Sequence, residues 1–135
     1  MPRILIVEDE AHILRVTSMW LRRHGYELCE ASNGAEALAI LDQHDPASRF
    51  HQVDLIISDM NMPVMTGLEL LKTVREEHKS DVPFILLTAR CDQQELAAEL
   101  APYGARLYPK PFVPSRLVTD VEAILKAQET KGATS

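Results

Sequence analysis

Cysteine is scarce in this chain, and so are glycine and tryptophan: two, five and one in 135 residues. Cys29 and Cys91 stand far apart, with no C-x-x-C pattern and no histidine pair beside them. That argues against a disulfide scaffold or a cysteine-bound metal, and for a reducing compartment. The five histidines are scattered, which leaves a transition-metal site without a pattern. Five glycines and eight prolines form no collagen-like or low-complexity stretch. Long apolar runs are missing as well, since segments such as Phe84–Leu87 fall far short of a membrane span. Positive charge is in deficit: 14 Lys and Arg against 20 Asp and Glu leave a net charge of −6. A protein that grips a phosphate backbone needs the opposite balance, so direct nucleic-acid binding is not expected. Met1-Pro2-Arg3 runs straight into a strand-like segment and lacks the form of a signal peptide. The expectation is one compact cytoplasmic domain without a direct membrane partner.

What is present is an alternation of short apolar runs with longer stretches of helical spacing. Ile4-Leu5-Ile6-Val7 reads as a strand buried on both faces. Residues 10–24 place Ile13, Val16, Trp20 and Leu21 on one helical face, and Gly25 stops that helix. Trp20 reads as packing, and Arg15, Arg22 and Arg23 as a solvated face. Glu27–Ala31 is a weaker strand, and Ser32-Asn33-Gly34 turns into a second helix. After a polar loop over 44–52 come a strand at Val53–Ile57 that ends at Ser58-Asp59, and a helix over 66–78. Val82–Leu87, ending at Thr88, is the next strand. A short helix over 92–101 is closed by Pro102, and Arg106–Pro109 is the last strand. An amphipathic helix over 114–128 precedes a polar tail, 129–135, expected to fray. Five β-α units in series predict an α/β fold with a doubly wound, open, parallel five-stranded sheet.

In such sheets ligands bind beyond the carboxyl ends of the strands. Those ends carry Glu8-Asp9-Glu10, Asp59, Thr88 and Lys110. Each alone has an ordinary explanation, as a helix cap, a turn residue or a surface lysine. Three of these carboxylates, Glu8, Asp9 and Asp59, converging on one rim with a hydroxyl and an ammonium are not explained by capping. Crowded carboxylates raise one another's pKa unless a cation intervenes. Hard oxygen donors in a partly open site suit Mg²⁺. An aspartate there can also serve as a nucleophile toward phosphorus, with the lysine and metal offsetting phosphoryl charge.

The four segments that carry these residues resemble the receiver domain of two-component response regulators, the CheY-like group. They are Ile4–Glu10, Asp59–Gly67, Leu86-Leu87-Thr88-Ala89 and Lys110-Pro111-Phe112, and the likeness spans roughly residues 3–127. The resemblance implies the flavodoxin-like strand order 2-1-3-4-5, a receiver domain over 1–128 and the tail at 129–135. It implies Asp59 as phosphoacceptor, served by Thr88 and Lys110. It also implies Mg²⁺ held by Asp9, Asp59 and the Asn61 carbonyl, with Glu8 acting through water. A cis peptide is expected at Lys110-Pro111. Asn61 and Arg90 fall at positions that tune loss of the phosphoryl group. The implied donor is a sensor histidine kinase or phosphotransfer protein. The implied output is a downstream protein or a second copy, met through the last helix and neighbouring strands. Such a domain is a phosphoacceptor with self-phosphorylation and autodephosphorylation rather than an enzyme.

One position departs from the group's pattern. Its members usually carry an aromatic three residues before the lysine, and here that residue is Leu107, with Tyr108 one place later. Because Lys110 must face the site, the missing residue belongs in the preceding loop. Leu107 then takes the switch position beside Thr88, and Tyr108 points to the other face of the strand; the competing outcome is a bulge near Pro109 that restores Tyr108 to the switch position. A haloacid-dehalogenase-type phosphatase is rejected because Asn61 stands where a general acid is required. A dinucleotide-binding site is rejected because Glu8-Asp9-Glu10 replaces the glycine-rich turn. A phosphorylation-independent interaction module is disfavoured because no chemical residue is missing. The remaining alternative is a receiver cut from a longer regulator with a DNA-binding or enzymatic output module.

Overall fold

The computed structural model describes residues 2–42, 53–62, 64–77, 81–89, 93–110 and 112–134. Within them the chain runs β1 (Arg3–Val7), α1 (Ala11–Arg23), β2 (Glu27–Ala31), α2 (Gly34–Asp42) and β3 (Leu55–Asp59). It continues through α3 (Gly67–Glu76), β4 (Phe84–Ala89), α4 (Gln93–Leu100), β5 (Arg106–Lys110) and α5 (Pro114–Thr134). The strands form one parallel sheet in the order β2-β1-β3-β4-β5. The α/β class and the strand order are those expected.

Strand pleating explains why the apolar runs are continuous. Successive side chains leave opposite faces of a strand, so a strand covered on both faces needs apolar residues at every position. Ile4 and Ile6 join Leu55, Ile57, Ile85 and Leu87 in a layer closed by Leu21 of α1 and by Leu117, Val121 and Leu125 of α5. Leu5 and Val7 face the other way with Ile56, Phe84 and Leu86, against Ala37 of α2, Leu70 and Leu71 of α3, and Leu96 of α4. All five strands point the same way, so their carboxyl ends share one rim.

Several boundaries differ from the sequence expectation. The buried residues of α1 are Thr17, Ser18 and Leu21; of the expected face Leu21 is buried and Trp20 packs beside it with Leu14, whereas Ile13 and Val16 are only half-buried. Apolar periodicity passed over Thr17 and Ser18, yet both are small enough to sit against the sheet, and Ser18 Oγ donates to Glu30 at 3.2 Å. β3 begins two residues later than expected and includes Ser58 and Asp59, because Val7 pairs with Ser58 and Leu87 with Asp59. β4 begins at Phe84, where pairing with Ile56 of β3 starts, and the Val82 carbonyl just before it accepts from Arg75 Nη1 at 2.7 Å. Pro102 does not close α4 directly but lies inside a 3-10 turn, Ala101–Tyr103. α5 does not end at residue 128: it runs on to Thr134, and the expected frayed tail is helical there. Residues such as Ala127, Gln128, Glu129 and Lys131 are good helix formers.

Candidate functional site

Four of the five strand ends deliver polar side chains to the rim. Glu8 and Asp9 follow β1, Asp59 ends β3, Thr88 lies near the end of β4, and Lys110 ends β5. One carboxylate oxygen from each of Glu8, Asp9 and Asp59 lies within 4.8 Å of the others. Glu8 and Asp59 are buried, whereas Asp9 is exposed and opens the cluster to solvent. Lys110 Nζ stands 3.0 Å from Asp59 Oδ1 and 3.1 Å from Glu8 Oε1.

Burial governs the charges here. It pushes the Glu8 carboxyl up to about 7, and the neighbouring Asp59 adds to the rise. The hydrogen bond from Lys110, the Glu10 amide at 3.2 Å and the lysine's charge oppose that rise without cancelling it. Burial pulls the Lys110 ammonium down, but its bonds to Asp59 and Glu8 outweigh that and leave it above its ordinary value. Three convergent carboxylates against one ammonium leave an excess of negative charge. A donor set of hard oxygens, open on the Asp9 side, fits a divalent cation such as Mg²⁺.

Thr88 is fully buried, and its Oγ1 has no hydrogen-bond partner among the described residues. A buried hydroxyl without a partner is costly, so it is a donor in waiting for an oxygen placed near it. Asn61 lies exposed in the loop after Asp59, two residues beyond the strand. Arg90 and the expected cis bond to Pro111 lie outside the described residues. Leu107 pairs with Leu86 and packs in the same layer, the face that Thr88 shares two residues further along β4. Tyr108 faces the opposite layer, where its hydroxyl donates to Asp120 Oδ2 of α5 at 2.7 Å. Its ring meets Phe112 edge-on at 6.4 Å.

Two features of the site were not foreseen from the sequence. Lys110 holds Glu8 as well as Asp59, a pairing that no local pattern announces. The loop leaving Asp59 is pinned by Gly67, whose amide donates to the Met60 carbonyl at 2.9 Å. A Cβ at Gly67 would collide with the Asp59 carbonyl. Thr66 caps α3 with a reciprocal bond pair to Glu69. Both the glycine and the Thr-x-x-Glu pattern are visible in the sequence as signals of a fixed helix start.

The family model described as response regulator receiver domain matches residues 4–122. The transcriptional regulatory protein PrrA of Mycobacterium tuberculosis is 33% identical over 134 residues, covering 99% of this chain and 54% of PrrA. The chain thus spans about half the length of that relative. A CheY homolog described as a chemotaxis protein in Campylobacter jejuni is 33% identical over 133 residues, covering 97% of this chain and 98% of the homolog. A CheY-like receiver domain structure from Methanospirillum hungatei superposes with a TM-score of 0.83 at 29% identity, covering 97% of this chain and 98% of that one.

Proposed function

The chain belongs to the response regulator receiver domain family, and on that premise we propose that Asp59 is its phosphoacceptor. The observation that carries the proposal is Lys110, whose ammonium stands 3.0 Å from Asp59 at the acidic rim. A lysine so placed offsets charge on a phosphoryl group arriving at that carboxylate.

In the proposed reaction an Asp59 oxygen attacks the phosphorus of a phosphohistidine on a sensor histidine kinase or phosphotransfer protein. The new O–P bond forms as the N–P bond breaks, and the departing ring nitrogen keeps that electron pair. Lys110 and the Thr88 hydroxyl each bind a phosphoryl oxygen. Asp9, Asp59 and the Asn61 carbonyl are the residues to hold Mg²⁺, with Glu8 acting through water. When bound, the ion supplies charge neutralisation on the phosphoryl oxygens. Asn61 and Arg90 sit at the positions that tune hydrolysis of the acyl phosphate. Thr88 and the adjoining Leu107 form the switch, read by a downstream protein or a second copy at α5 and the neighbouring strands. The proposed location is the cytoplasm; among the described residues no helix is long and apolar enough to cross a membrane.

A second reading places this receiver within a longer transcriptional regulator, because PrrA extends well beyond the matched region. The full reading frame separates the two. The test of the first is labelling with acetyl phosphate in Mg²⁺, borohydride trapping and mass spectrometry. Modification at Asp59 is expected; label retained in Asp59→Asn overturns the assignment.

A further inference from the structure

Val64 has a φ of 72°, the only positive value at a non-glycine position among the described residues. A β-branched side chain is strained there, and its own side chain is 81% exposed and so gains little from burial. Strain of this kind persists only where the surroundings over-determine it. The restraint must therefore come from the neighbours of Val64.

Met65 supplies one. It packs against the layer formed by α2, α3 and the sheet. Its side chain lies over Gly34, the first residue of α2, which is buried. A Cβ at Gly34 would stand 2.8 Å from both Cβ and Sδ of Met65 and 2.9 Å from its Cγ. Met65 thus occupies space that only a glycine leaves open. The platform beneath it is itself fixed, since Asn33 Oδ1 accepts from the Glu36 amide at 2.9 Å and the Asn33 carbonyl accepts from Ala37 at 3.1 Å. On the strand side, the Met60 amide donates to the Leu87 carbonyl at 2.8 Å. Val64 is held between these two anchors.

We propose that Met65 and Gly34 form a positioning clamp for the loop that follows Asp59. By seating Met65 on the first turn of α2, the clamp maintains the turn at Val64 and fixes the course of the Asn61 backbone in the loop that leaves Asp59. The inference deepens the proposed function and rests on it for the role of the Asn61 carbonyl. Met65 and Gly34 act through the loop and touch no reacting atom.

The test compares wild type with Met65→Ala, Met65→Leu, Gly34→Ala and the double variant Val64→Gly/Met65→Ala. Three quantities are read: amide hydrogen exchange at residues 61, 64 and 65 in metal-free protein, half-saturation by Mg²⁺, and labelling by acetyl phosphate. Met65→Ala and Gly34→Ala should each quicken loop exchange about tenfold, the range expected when a strained turn is released. Each should raise the Mg²⁺ concentration for half-saturation by a similar factor, while labelling at saturating Mg²⁺ returns close to the wild-type rate. Met65→Leu should stay within about twofold of wild type, as a near-isosteric replacement. Val64→Gly should restore at least half of what Met65→Ala loses, because glycine adopts the turn without strain. Wild-type exchange and Mg²⁺ affinity in both Met65→Ala and Gly34→Ala overturn the clamp, as does a failure of Val64→Gly to rescue. Should Gly34→Ala not fold, Met65→Ala and its rescue decide alone. Labelling of wild type away from Asp59 sinks the phosphoacceptor reading instead, while metal-free exchange still judges the clamp.

Discussion

Lys110 and Glu8 meet across 102 positions of sequence, with Nζ 3.1 Å from Oε1. β1 and β5 are not neighbours in the sheet, so this pair spans the ends of β3 and β4 and encloses Asp59 between its two members. The lysine thereby links the acidic rim to the last strand. Burial nevertheless keeps the Glu8 carboxyl near 7, so its charge changes in the neutral range.

The first prediction concerns pH and stability. Folded Glu8 holds its proton to about 7, whereas its ordinary value is 4.5. A carboxyl raised on folding stabilises the fold fully below the lower value, and that contribution is lost as pH rises through the upper one. Metal-free protein should therefore lose stability between pH 4.5 and 7.5, by on the order of 2–3 kcal/mol. Thermal melts of wild type and Glu8→Gln check this. A Glu8→Gln curve as steep as wild type over that window would remove Glu8 from the explanation.

The second prediction separates metal from lysine. Asp9→Ala deletes an exposed carboxylate of the cluster, so Mg²⁺ affinity and labelling by acetyl phosphate should fall together, by about tenfold or more. Lys110→Ala should leave Mg²⁺ binding largely intact and cut labelling by roughly a hundredfold, the scale of losing one charge-stabilising group. Isothermal titration and trapping of the acyl phosphate distinguish the two. Unimpaired labelling of Asp9→Ala in Mg²⁺ refutes the metal role.

The third prediction addresses the switch. Tyr108 is bonded to Asp120 on the α5 side, while Leu107 lies on the face of Thr88. Binding of beryllofluoride should leave Tyr108 at Asp120 and move Thr88 without an aromatic rotation. A structure with Tyr108 in space vacated by Thr88 refutes it. Burial first, and then the Asp120 bond, raise the Tyr108 phenol to about 12. Burial and Glu76 raise the Tyr103 phenol as well, so ultraviolet titration of wild type against Asp120→Asn is the test: the substitution should bring the Tyr108 ionisation to lower pH and leave that of Tyr103 in place.

The fourth prediction is structural. Arg75 Nε donates to the Tyr103 carbonyl at 2.8 Å, and its Nη1 to the Val82 carbonyl at 2.7 Å. It braces α3 against the segments that enter β4 and β5. Arg75→Ala should cost about 1–3 kcal/mol through the loss of these two bonds from a charged donor. Arg75→Lys should recover little, since one ammonium does not reproduce the fork. Urea unfolding checks this; a change within about 0.5 kcal/mol, the level of an ordinary surface substitution, contradicts it.

Residue type and spacing alone determined the five β-α units, the carboxylate rim and the chemistry that rim suits. Those are local signals: an apolar run of four, a helical period, a charged residue where a run stops. That Leu107 and Tyr108 leave opposite faces of β5 was also legible, because alternation along a strand is strict once Lys110 is fixed. Tertiary structure decided what depends on segments remote in sequence. It buried Glu8 and left Asp9 exposed, although the two are adjacent and chemically alike. It turned Thr17 and Ser18 inward on α1, because the sheet accepts small side chains there whatever their polarity. It joined Lys110 to Glu8 and laid Met65 over Gly34. A sequence states which groups a chain carries, but burial and partnership arise from the crossing of elements, and their energies are fixed only when those elements pack.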